Sequence, residues 1–270
     1  MIPNSIKQLW SNDRPALNGW LSIGNPFTAE IMASQDYDCI TIDIQHGALD
    51  YYSALPMLQA MRASGKTLMA RVPWNDPAII MKTLDAGAYG IICPMINSRS
   101  EAEAFVSSMR YPPKGNRSFG PTRVNFAAGP GYAEEANDEL LAIAMIETRE
   151  AIENLEEIVS TPGLDAIYIG PADLTLGAKQ GELPPGFDRE EPEMVGLIKR
   201  ILTATKKGGL RAGLHCGTPE YAVGAIKWGF DLVTISGDSR LLAAGAAASV
   251  GKARSLLGAA KEITATSEGY

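Results

Sequence analysis

Short apolar runs alternate with longer amphipathic segments along the whole chain, and this alternation restricts the possible folds more than any other feature. Eight runs have the length of a buried strand, and a segment able to form a helix follows each of them. The predicted strands are residues 17–23, 39–44, 67–72, 89–93, 141–146, 166–169, 211–214 and 231–235. Strands that alternate with helices build parallel sheets, so the sequence predicts an α/β protein.

The number of repeats and the chain length favour a closed barrel over an open sheet. Eight strand–helix units in 270 residues match a single (β/α)8 TIM barrel that spans residues 1–270. The short turns at 86–88 and 228–230 support this interpretation. An open doubly wound sheet is the alternative, but it should carry a glycine-rich dinucleotide loop after its first strand, and the sequence has none there.

Helical spacing and turn residues set the expected connections between the strands. Helices are predicted at 28–34, 51–63, 77–86, 100–110, 193–206, 219–228 and about 239–257, with a further amphipathic segment between 147 and 162. Two long loops rich in glycine and proline cover 111–134 and 181–192. The loop 111–134 is of a length that, without structure of its own, is often functional.

Composition and charge exclude several classes of partner. The net charge is -7 without blocks of like charge, which argues against nucleic acid or an anionic membrane as partner. No stretch is long and apolar enough to span a membrane, and the first residues lack the apolar core of a signal peptide. Cys39, Cys93 and Cys216 have no metal-type spacing. We therefore expect a reduced, cytoplasmic protein.

Two carboxylates follow neighbouring predicted strands. Glu147 comes directly after the fifth strand, and Asp173 follows the sixth strand across the turn Gly170-Pro171-Ala172. Because parallel strands end at one edge of the sheet, these acids are expected side by side at the edge where α/β barrels keep their sites. Such a pair suits a hard divalent cation with open positions. The alternative is that each acid caps the helix that follows it.

Three more polar residues lie at predicted strand ends. Asp43 and His46 follow strand two, and an Asp-x-x-His spacing can orient an imidazole for proton transfer. Arg71 ends strand three, where a guanidinium can clamp a carboxylate and stabilise developing negative charge. The structural alternatives are a histidine bonded to backbone and an arginine paired with a core acid. His215 and Cys216 follow strand seven and could also face the site.

The residues available at the strand ends favour metal-assisted enolate chemistry. The sequence has no G-x-S-x-G motif, and no lysine lies at the carboxyl end of an apolar strand, where Schiff-base aldol chemistry needs one. With two histidines, the chain cannot build a three-histidine metal site. A metal, an arginine and a general base together suit reactions of a 2-oxo acid through its enolate.

A set of segments in matching order resembles the HpcH/HpaI aldolase family over nearly the whole chain. The segments are 19–21, 43–47 (DIQHG), 70–73 (ARVP), 84–88 (LDAGA), 90–94, 111–118 (YPPKGNRS), 146–148 (IET) and 170–174 (GPADL). The family consists of divalent-metal-dependent (class II) pyruvate aldolases on (β/α)8 barrels. The resemblance implies cleavage or formation of 4-hydroxy-2-oxo acids, giving pyruvate and an aldehyde through a metal-bound pyruvate enolate. Mg2+, Mn2+ or Co2+ is the implied cofactor.

The resemblance also implies roles for individual residues. Glu147 and Asp173 match the metal ligands, His46 matches the base, and Arg71 matches the residue that stabilises the enolate. Asp85 matches the acid that raises the basicity of the histidine. The predicted substrate-binding set is Arg71, Gly170, Pro171, Ala172 and Asp173, and Ala172 is expected to act through its backbone.

Two positions depart from the family pattern. Met145 stands where the family usually has glutamine, and a thioether is a poor hydrogen-bond partner, so one substrate or water contact is expected to be lost. Gln45 stands where glutamate is frequent, which removes a negative charge near the metal. Both departures leave the reaction class intact and bear on which aldehyde is preferred.

Two other functions and an oligomeric state remain to be weighed. A citramalyl- or malyl-CoA lyase would use a basic surface for nucleotide phosphate, for which Lys114, Arg117 and Arg123 are candidates. A catalytically lapsed sugar-acid binding protein is the non-enzymatic alternative. The resemblance implies a homo-oligomer, a trimer of dimers, whose last helix packs on a neighbouring subunit. An ordinary outer helix of the barrel is the alternative for that segment.

Overall fold

Eight parallel strands close into a barrel in chain order, and the last strand pairs with the first. The computed structural model describes the backbone of residues 1–267 and the side chains of residues 1–258. The strands are β1 (Ala16–Leu21), β2 (Cys39–Asp43), β3 (Thr67–Arg71), β4 (Gly90–Cys93), β5 (Leu141–Met145), β6 (Ala166–Ile169), β7 (Arg211–Cys216) and β8 (Leu232–Ile235). The predicted (β/α)8 barrel is confirmed.

Helices surround the barrel and return the chain from the carboxyl end of one strand to the amino end of the next. They are α1 (Ser5–Ser11), α2 (Pro26–Ala33), α3 (Tyr51–Ala60), α4 (Pro77–Asp85), α5 (Arg99–Met109), α6 (Arg123–Ala127), α7 (Tyr132–Glu139), α8 (Arg149–Glu153), α9 (Leu155–Val159), α10 (Pro171–Lys179), α11 (Pro192–Lys207), α12 (Pro219–Trp228) and α13 (Asp238–Ser267). Five helices start with proline, whose fixed φ suits the first helical turn.

Several elements differ from the prediction. The segment 111–134, predicted as a loop, contains α6 and the start of α7, and the amphipathic segment after Glu147 divides into α8 and α9 at Asn154. The prediction also lacked α10, which starts directly after β6, and α1. α1 is short and buries only Ile6 and Trp10, so its periodicity is too weak to read from sequence.

Two apolar layers hold the barrel together. The larger lies between the sheet and the helices, and the smaller fills the barrel interior and is covered at the amino ends of the strands by Trp10 of α1. Asn18 donates a hydrogen bond of 2.8 Å to the Thr234 hydroxyl in the interior, and the Tyr168 hydroxyl lies 2.6 Å from the same oxygen. This polar layer lies within the barrel, where Tyr168 also reaches the cavity described below.

Two further features concern the cysteine side chains and the apolar character of the helices. All three cysteines are buried and free. Within residues 1–267, no helix combines the length and the apolar character that crossing a membrane requires.

Candidate active site

A cavity of about 310 Å³ opens at the carboxyl ends of the strands. Six of the predicted site residues line it: Asp43, His46, Arg71, Gly170, Ala172 and Asp173. They come from the ends of β2, β3 and β6 and from the first turn of α10. The barrel topology brings them together because the carboxyl ends of all its strands form one face.

Glu147 and Asp173 face a common gap beside Gly170. Glu147 follows β5 directly and is 2% exposed, and Asp173 lies in the first turn of α10. A Cβ atom placed on Gly170 would lie 3.2 Å from Glu147 Oε2, 4.0 Å from Asp173 Oδ2 and 2.9 Å from the Met145 methyl carbon. A side chain at position 170 would therefore fill the space between the two carboxylates.

The environment of Glu147 contains uncompensated negative charge. Burial, together with the charge of Asp173, raises the pKa of Glu147 to about 7, against the lowering effects of the Met95 N–H and of Arg71. The Met95 amide donates a hydrogen bond of 2.8 Å to Glu147 Oε1, and Met95 has a positive φ of 56°, a conformation that is uncommon outside glycine. The backbone is thus held in a strained form that orients this carboxylate.

These features fit a divalent cation. Neither acid caps a helix as the structural alternative required: Thr148 caps α8, and Gly170 occupies the capping position of α10. The described residues contain no cluster of three or more His, Cys, Asp or Glu side chains able to hold a metal. A cation held by Glu147 and Asp173 alone would keep positions open for water or substrate oxygens.

Arg71 and Asp43 form a largely buried bidentate ion pair. Arg71 Nε and one terminal nitrogen donate hydrogen bonds of 2.8 and 2.6 Å to the two oxygens of Asp43. Burial acts to raise the pKa of Asp43, but the hydrogen bonds and charge of Arg71 hold it below its ordinary value. The guanidinium also lies over the Trp20 ring, 4.9 Å from its centroid. Arg71 is therefore both paired with a core acid and exposed to the cavity.

Asp43 contacts His46 through the backbone. The amide groups of Gln45 and His46 each donate a hydrogen bond of 3.2 Å to Asp43 Oδ1. The Asp43 carboxylate therefore holds the turn that carries His46 as well as the Arg71 guanidinium, and its predicted role in orienting the imidazole stays a prediction. His46 is exposed and lines the cavity with its side chain.

Asp85 lies away from this cavity within the subunit. It is the last residue of α4 and accepts a hydrogen bond of 2.6 Å from Arg117, a buried side chain that stacks on Tyr111. It lines a separate surface pocket with Tyr51 and Lys82. Because α4 runs back from the carboxyl ends of the strands, its last turn points away from the face that carries His46. The predicted role of Asp85 beside the histidine stays a prediction.

Three aromatic residues of the cavity were missing from the predicted site, namely Trp20, Tyr168 and Phe187, whereas His215 was already a candidate. Trp20, Tyr168, Phe187 and His215 line the cavity, and the Tyr168 hydroxyl lies 3.2 Å from His215 Nδ1. Burial and the charge of Arg71 lower the pKa of His215 to about 3, so the imidazole is neutral. Aromatic residues within strands are usually core residues. Trp20 of β1 and Tyr168 of β6 differ from such residues only because they lie on the inward side of their strands.

The predicted loop 181–192 supplies Phe187 to the cavity. Asp188 accepts hydrogen bonds of 2.7 Å from the Gly217 amide and 2.7 Å from the Thr218 hydroxyl, both just after β7. These contacts fix the loop beside the strand ends. Ser22, Gly237, Ser239 and Arg240 complete that side of the cavity, and the sequence carried no signal for them.

Comparisons with known proteins show the family to which this chain is similar. The family model described as HpcH/HpaI aldolase/citrate lyase matches residues 18–244. A protein of Rhizorhabdus wittichii named hydroxypyruvate/pyruvate aldolase is 42% identical over 94% of this chain and 100% of its own length. A protein of Salmonella heidelberg named 4-hydroxy-2-oxo-heptane-1,7-dioate aldolase is 31% identical over 100% of both chains.

Solved structures show the same architecture. A family protein from Burkholderia cenocepacia superposes with a TM-score of 0.85 at 29% identity, over 93% of this chain and 99% of the other. A structure described as citrate synthase SbnG superposes with a TM-score of 0.82 at 25% identity, over 93% of this chain and 98% of the other. With the family model covering residues 18–244 and relatives above 30% identity over full length, the chain belongs to the HpcH/HpaI aldolase/citrate lyase family and is a carbon–carbon lyase.

Proposed function

We propose that this protein is a divalent-metal-dependent aldolase that cleaves or forms 4-hydroxy-2-oxo acids, with pyruvate and an aldehyde as the other reactants. The observation that carries the proposal is the gap beside Gly170 that Glu147 and Asp173 share, in the same cavity as Arg71 and His46. The names of the relatives support it, since one is called a hydroxypyruvate/pyruvate aldolase. Glu147 and Asp173 would hold Mg2+, Mn2+ or Co2+, which when bound acts as a Lewis acid beside the oxo-acid oxygens.

The chain supplies the groups that bind the oxo acid. Ala172 lies in the first turn of α10, where backbone N–H groups lack helical partners and favour a carboxylate. Arg71 lies across the cavity with its guanidinium already oriented by Asp43. A preorganised cation of this kind stabilises negative charge as it develops on the substrate, without rearranging during the reaction.

His46 serves the proton transfers. In cleavage it accepts the proton of the 4-hydroxyl group, the bond between C3 and C4 breaks, and the aldehyde leaves. The electron pair of that bond delocalises onto the 2-oxo oxygen, where Arg71 stabilises the enolate. Protonation of C3 then yields the methyl group of pyruvate. The proton gained at C3 balances the proton lost by the 4-hydroxyl group. Addition to an aldehyde follows the same steps in reverse.

The two alternative functions are less consistent with the side-chain contacts. Of the three cations considered for a CoA phosphate, Lys114 pairs with Asp138 at 2.5 Å and Arg117 is buried against Asp85. Arg123 donates to the backbone oxygens of Ala86 and Leu58. All three are therefore engaged within the chain. A lapsed binding protein would not need a strained backbone to orient a buried carboxylate.

The closing helix supports the proposal of a homo-oligomer. Every residue of α13 from 241 to 258 is exposed, including Leu242, Val250, Leu256 and Leu257, which are 53–66% exposed. A helix that packed on its own barrel would bury one face. We therefore propose that α13 packs on a neighbouring copy of the chain, in an assembly of three dimers.

The aldolase proposal is tested by a substrate panel. Pyruvate release is measured from 4-hydroxy-2-oxo acids that differ only in the aldehyde portion, in metal-free protein and after addition of Mg2+, Mn2+ or Co2+. Metal-dependent release is the expected result. Full activity in EDTA-treated protein would contradict the role of the metal, and absence of release from every member would contradict the aldolase.

A further inference from the structure

Two guanidinium groups, those of Arg71 and Arg240, contact a chain of aromatic rings that lines the cavity. The Arg71 guanidinium lies 4.9 Å from the centroid of the Trp20 ring, and that ring lies 4.9 Å from His215, edge to face. His215 lies 4.6 Å from Phe187, and the Arg240 guanidinium lies 4.4 Å from the centroid of Phe187. Three rings, those of Trp20, His215 and Phe187, therefore link the two guanidinium groups along the cavity.

The charges at the two ends differ in their partners. Arg71 is neutralised by the bidentate contact with Asp43. Within the described side chains, Arg240 makes no ion pair and no hydrogen bond, and its contact is the face of Phe187. An arginine held on an aromatic face keeps its planar donors free for a carboxylate or a phosphate. Arg240 is thus the unneutralised arginine of this cavity.

The position of Arg240 is fixed by its own barrel. The Asp238 carboxylate, at the start of α13, accepts hydrogen bonds of 2.8 Å from the Ser22 amide and 3.0 Å from the Ile23 amide, both just after β1. The same carboxylate also accepts a hydrogen bond of 2.7 Å from the Ser239 amide. Arg240 therefore belongs to this cavity wherever the remainder of α13 packs.

Two serines, Ser22 and Ser239, line the same cavity as Arg240, and Phe187 adds an apolar surface in contact with the guanidinium. A guanidinium, two hydroxyls and a ring suit a short carbon chain that ends in an anionic group. The oxo-acid end, by contrast, contains Arg71 and the first turn of α10.

We propose that Arg240 is a specificity-determining residue that binds an anionic group, a carboxylate or a phosphate, on the aldehyde partner. The inference rests on the proposed aldolase function and adds the class of aldehyde. The oxo acid occupies the end near Arg71 and Asp173, and the aldehyde portion of the substrate extends along the chain of aromatic rings. Its terminal anion then reaches the Arg240 guanidinium.

The test compares aldehydes that are paired by the length of the carbon chain and differ in the presence of an anionic group. Addition of pyruvate is measured with succinate semialdehyde against butanal, and with glyceraldehyde 3-phosphate against glyceraldehyde. The ratio of kcat/KM for anionic over neutral aldehyde is expected to fall about 10- to 100-fold in Arg240→Met, as for loss of a charge-assisted hydrogen bond. Arg240→Lys should lose less, because it keeps the charge. If the ratio falls only for the succinate semialdehyde pair, the bound group is a carboxylate. If it falls only for the glyceraldehyde 3-phosphate pair, the bound group is a phosphate.

Salt and a matched variant strengthen the test. In the wild type, the same ratio should decrease as ionic strength rises, and in Arg240→Met it should be nearly independent of salt. Arg14→Met removes the same charge from an exposed arginine before β1, at the opposite end of the barrel, and should keep the wild-type ratio. An unchanged ratio in Arg240→Met would contradict the proposal.

Exchange of pyruvate methyl protons with solvent deuterium separates this proposal from the aldolase function. It is followed by NMR in the wild type and requires no aldehyde. Wild-type protein that fails to exchange these protons under any metal would contradict the proposed aldolase. Wild-type exchange together with an unchanged aldehyde ratio in Arg240→Met would contradict only the role of Arg240.

Discussion

Asp43 holds the Arg71 guanidinium through two hydrogen bonds of 2.8 and 2.6 Å, and the two residues are direct neighbours in the register of β2 and β3. Asp43 is 3% exposed, and the Arg71 side chain is 11% exposed. Arg71 therefore enters the cavity with its orientation set by the sheet itself. The same carboxylate holds the turn that carries His46, so one acid positions two groups of the proposed mechanism.

Asp43→Asn should lower both stability and turnover. The amide cannot accept both hydrogen bonds from Arg71, and it leaves a buried guanidinium without its counter-ion. Breaking a buried pair typically costs about 3–5 kcal/mol. Chemical unfolding and pyruvate proton exchange measure the two effects. Asp36→Asn, at an exposed site before β2, is the control and should resemble the wild type. Wild-type exchange in Asp43→Asn would show that Arg71 does not depend on this pair.

Glu147→Gln and Asp173→Asn should each weaken metal binding and turnover together while the protein stays folded. Each change removes one of two negative charges from the gap beside Gly170. We expect a loss of metal affinity of at least about 10- to 100-fold, the range seen even for groups that only support a ligand. Mn2+ binding is followed by electron paramagnetic resonance, independently of activity. Glu150→Gln, an exposed residue of α8, serves as the control. Unaltered Mn2+ affinity in both variants would refute the assignment of ligands.

His46→Ala and Arg71→Ala should separate in their kinetics. Loss of a general base typically costs about 10²–10⁴ in rate. We therefore expect His46→Ala to lower kcat far more than it weakens pyruvate binding. Arg71→Ala should impair both cleavage and the exchange of pyruvate methyl protons. Arg71→Lys should restore little, because a point charge cannot reproduce the planar fork held by Asp43. Wild-type exchange in Arg71→Ala would identify Arg71 as a purely structural ion-pair residue.

His215 should make stability depend on pH. Burial lowers its pKa from 6.5 to about 3, so between these values the unfolded chain binds a proton that the folded protein does not. Stability is then lost as pH falls from 6.5 toward 3, at about 1.4 kcal/mol per pH unit for one proton. Urea unfolding at several pH values compares wild type with His215→Gln. The free energy of unfolding of the wild type should fall relative to that of His215→Gln as pH decreases. A difference in unfolding free energy that stays constant with pH would rule out a neutral buried imidazole.

The exposed leucines of α13 should control the assembly. Leu242→Glu together with Leu257→Glu places charges on a face that we propose to be covered by another copy. Multi-angle light scattering should give an oligomer for the wild type and a smaller species for the double variant. Substitution of Leu176, exposed on α10, by Glu is the control for a change of charge alone. A monomeric wild type would refute the exchange of α13.

The fold and the outline of the site were readable from the sequence because both depend on local signals. β6 has the predicted bounds, Ala166–Ile169, and α12 has the predicted bounds, Pro219–Trp228. Turn residues and apolar runs mark such elements over a few positions. Once eight parallel strands are assigned, Glu147 and Asp173 must lie at one end of the barrel, whatever the packing details.

The contacts within that end were decided by the tertiary structure. Asp43 and Arg71 lie 28 positions apart, and only the β2–β3 register shows that the aspartate engages the arginine rather than the imidazole of His46. Phe187 and Arg240 come from a loop and a helix start whose directions depend on the anchors at Asp188 and Asp238. A sequence records which side chains follow a strand, but their distances depend on backbone torsions accumulated over whole loops, and these are fixed only when the loops pack against the barrel.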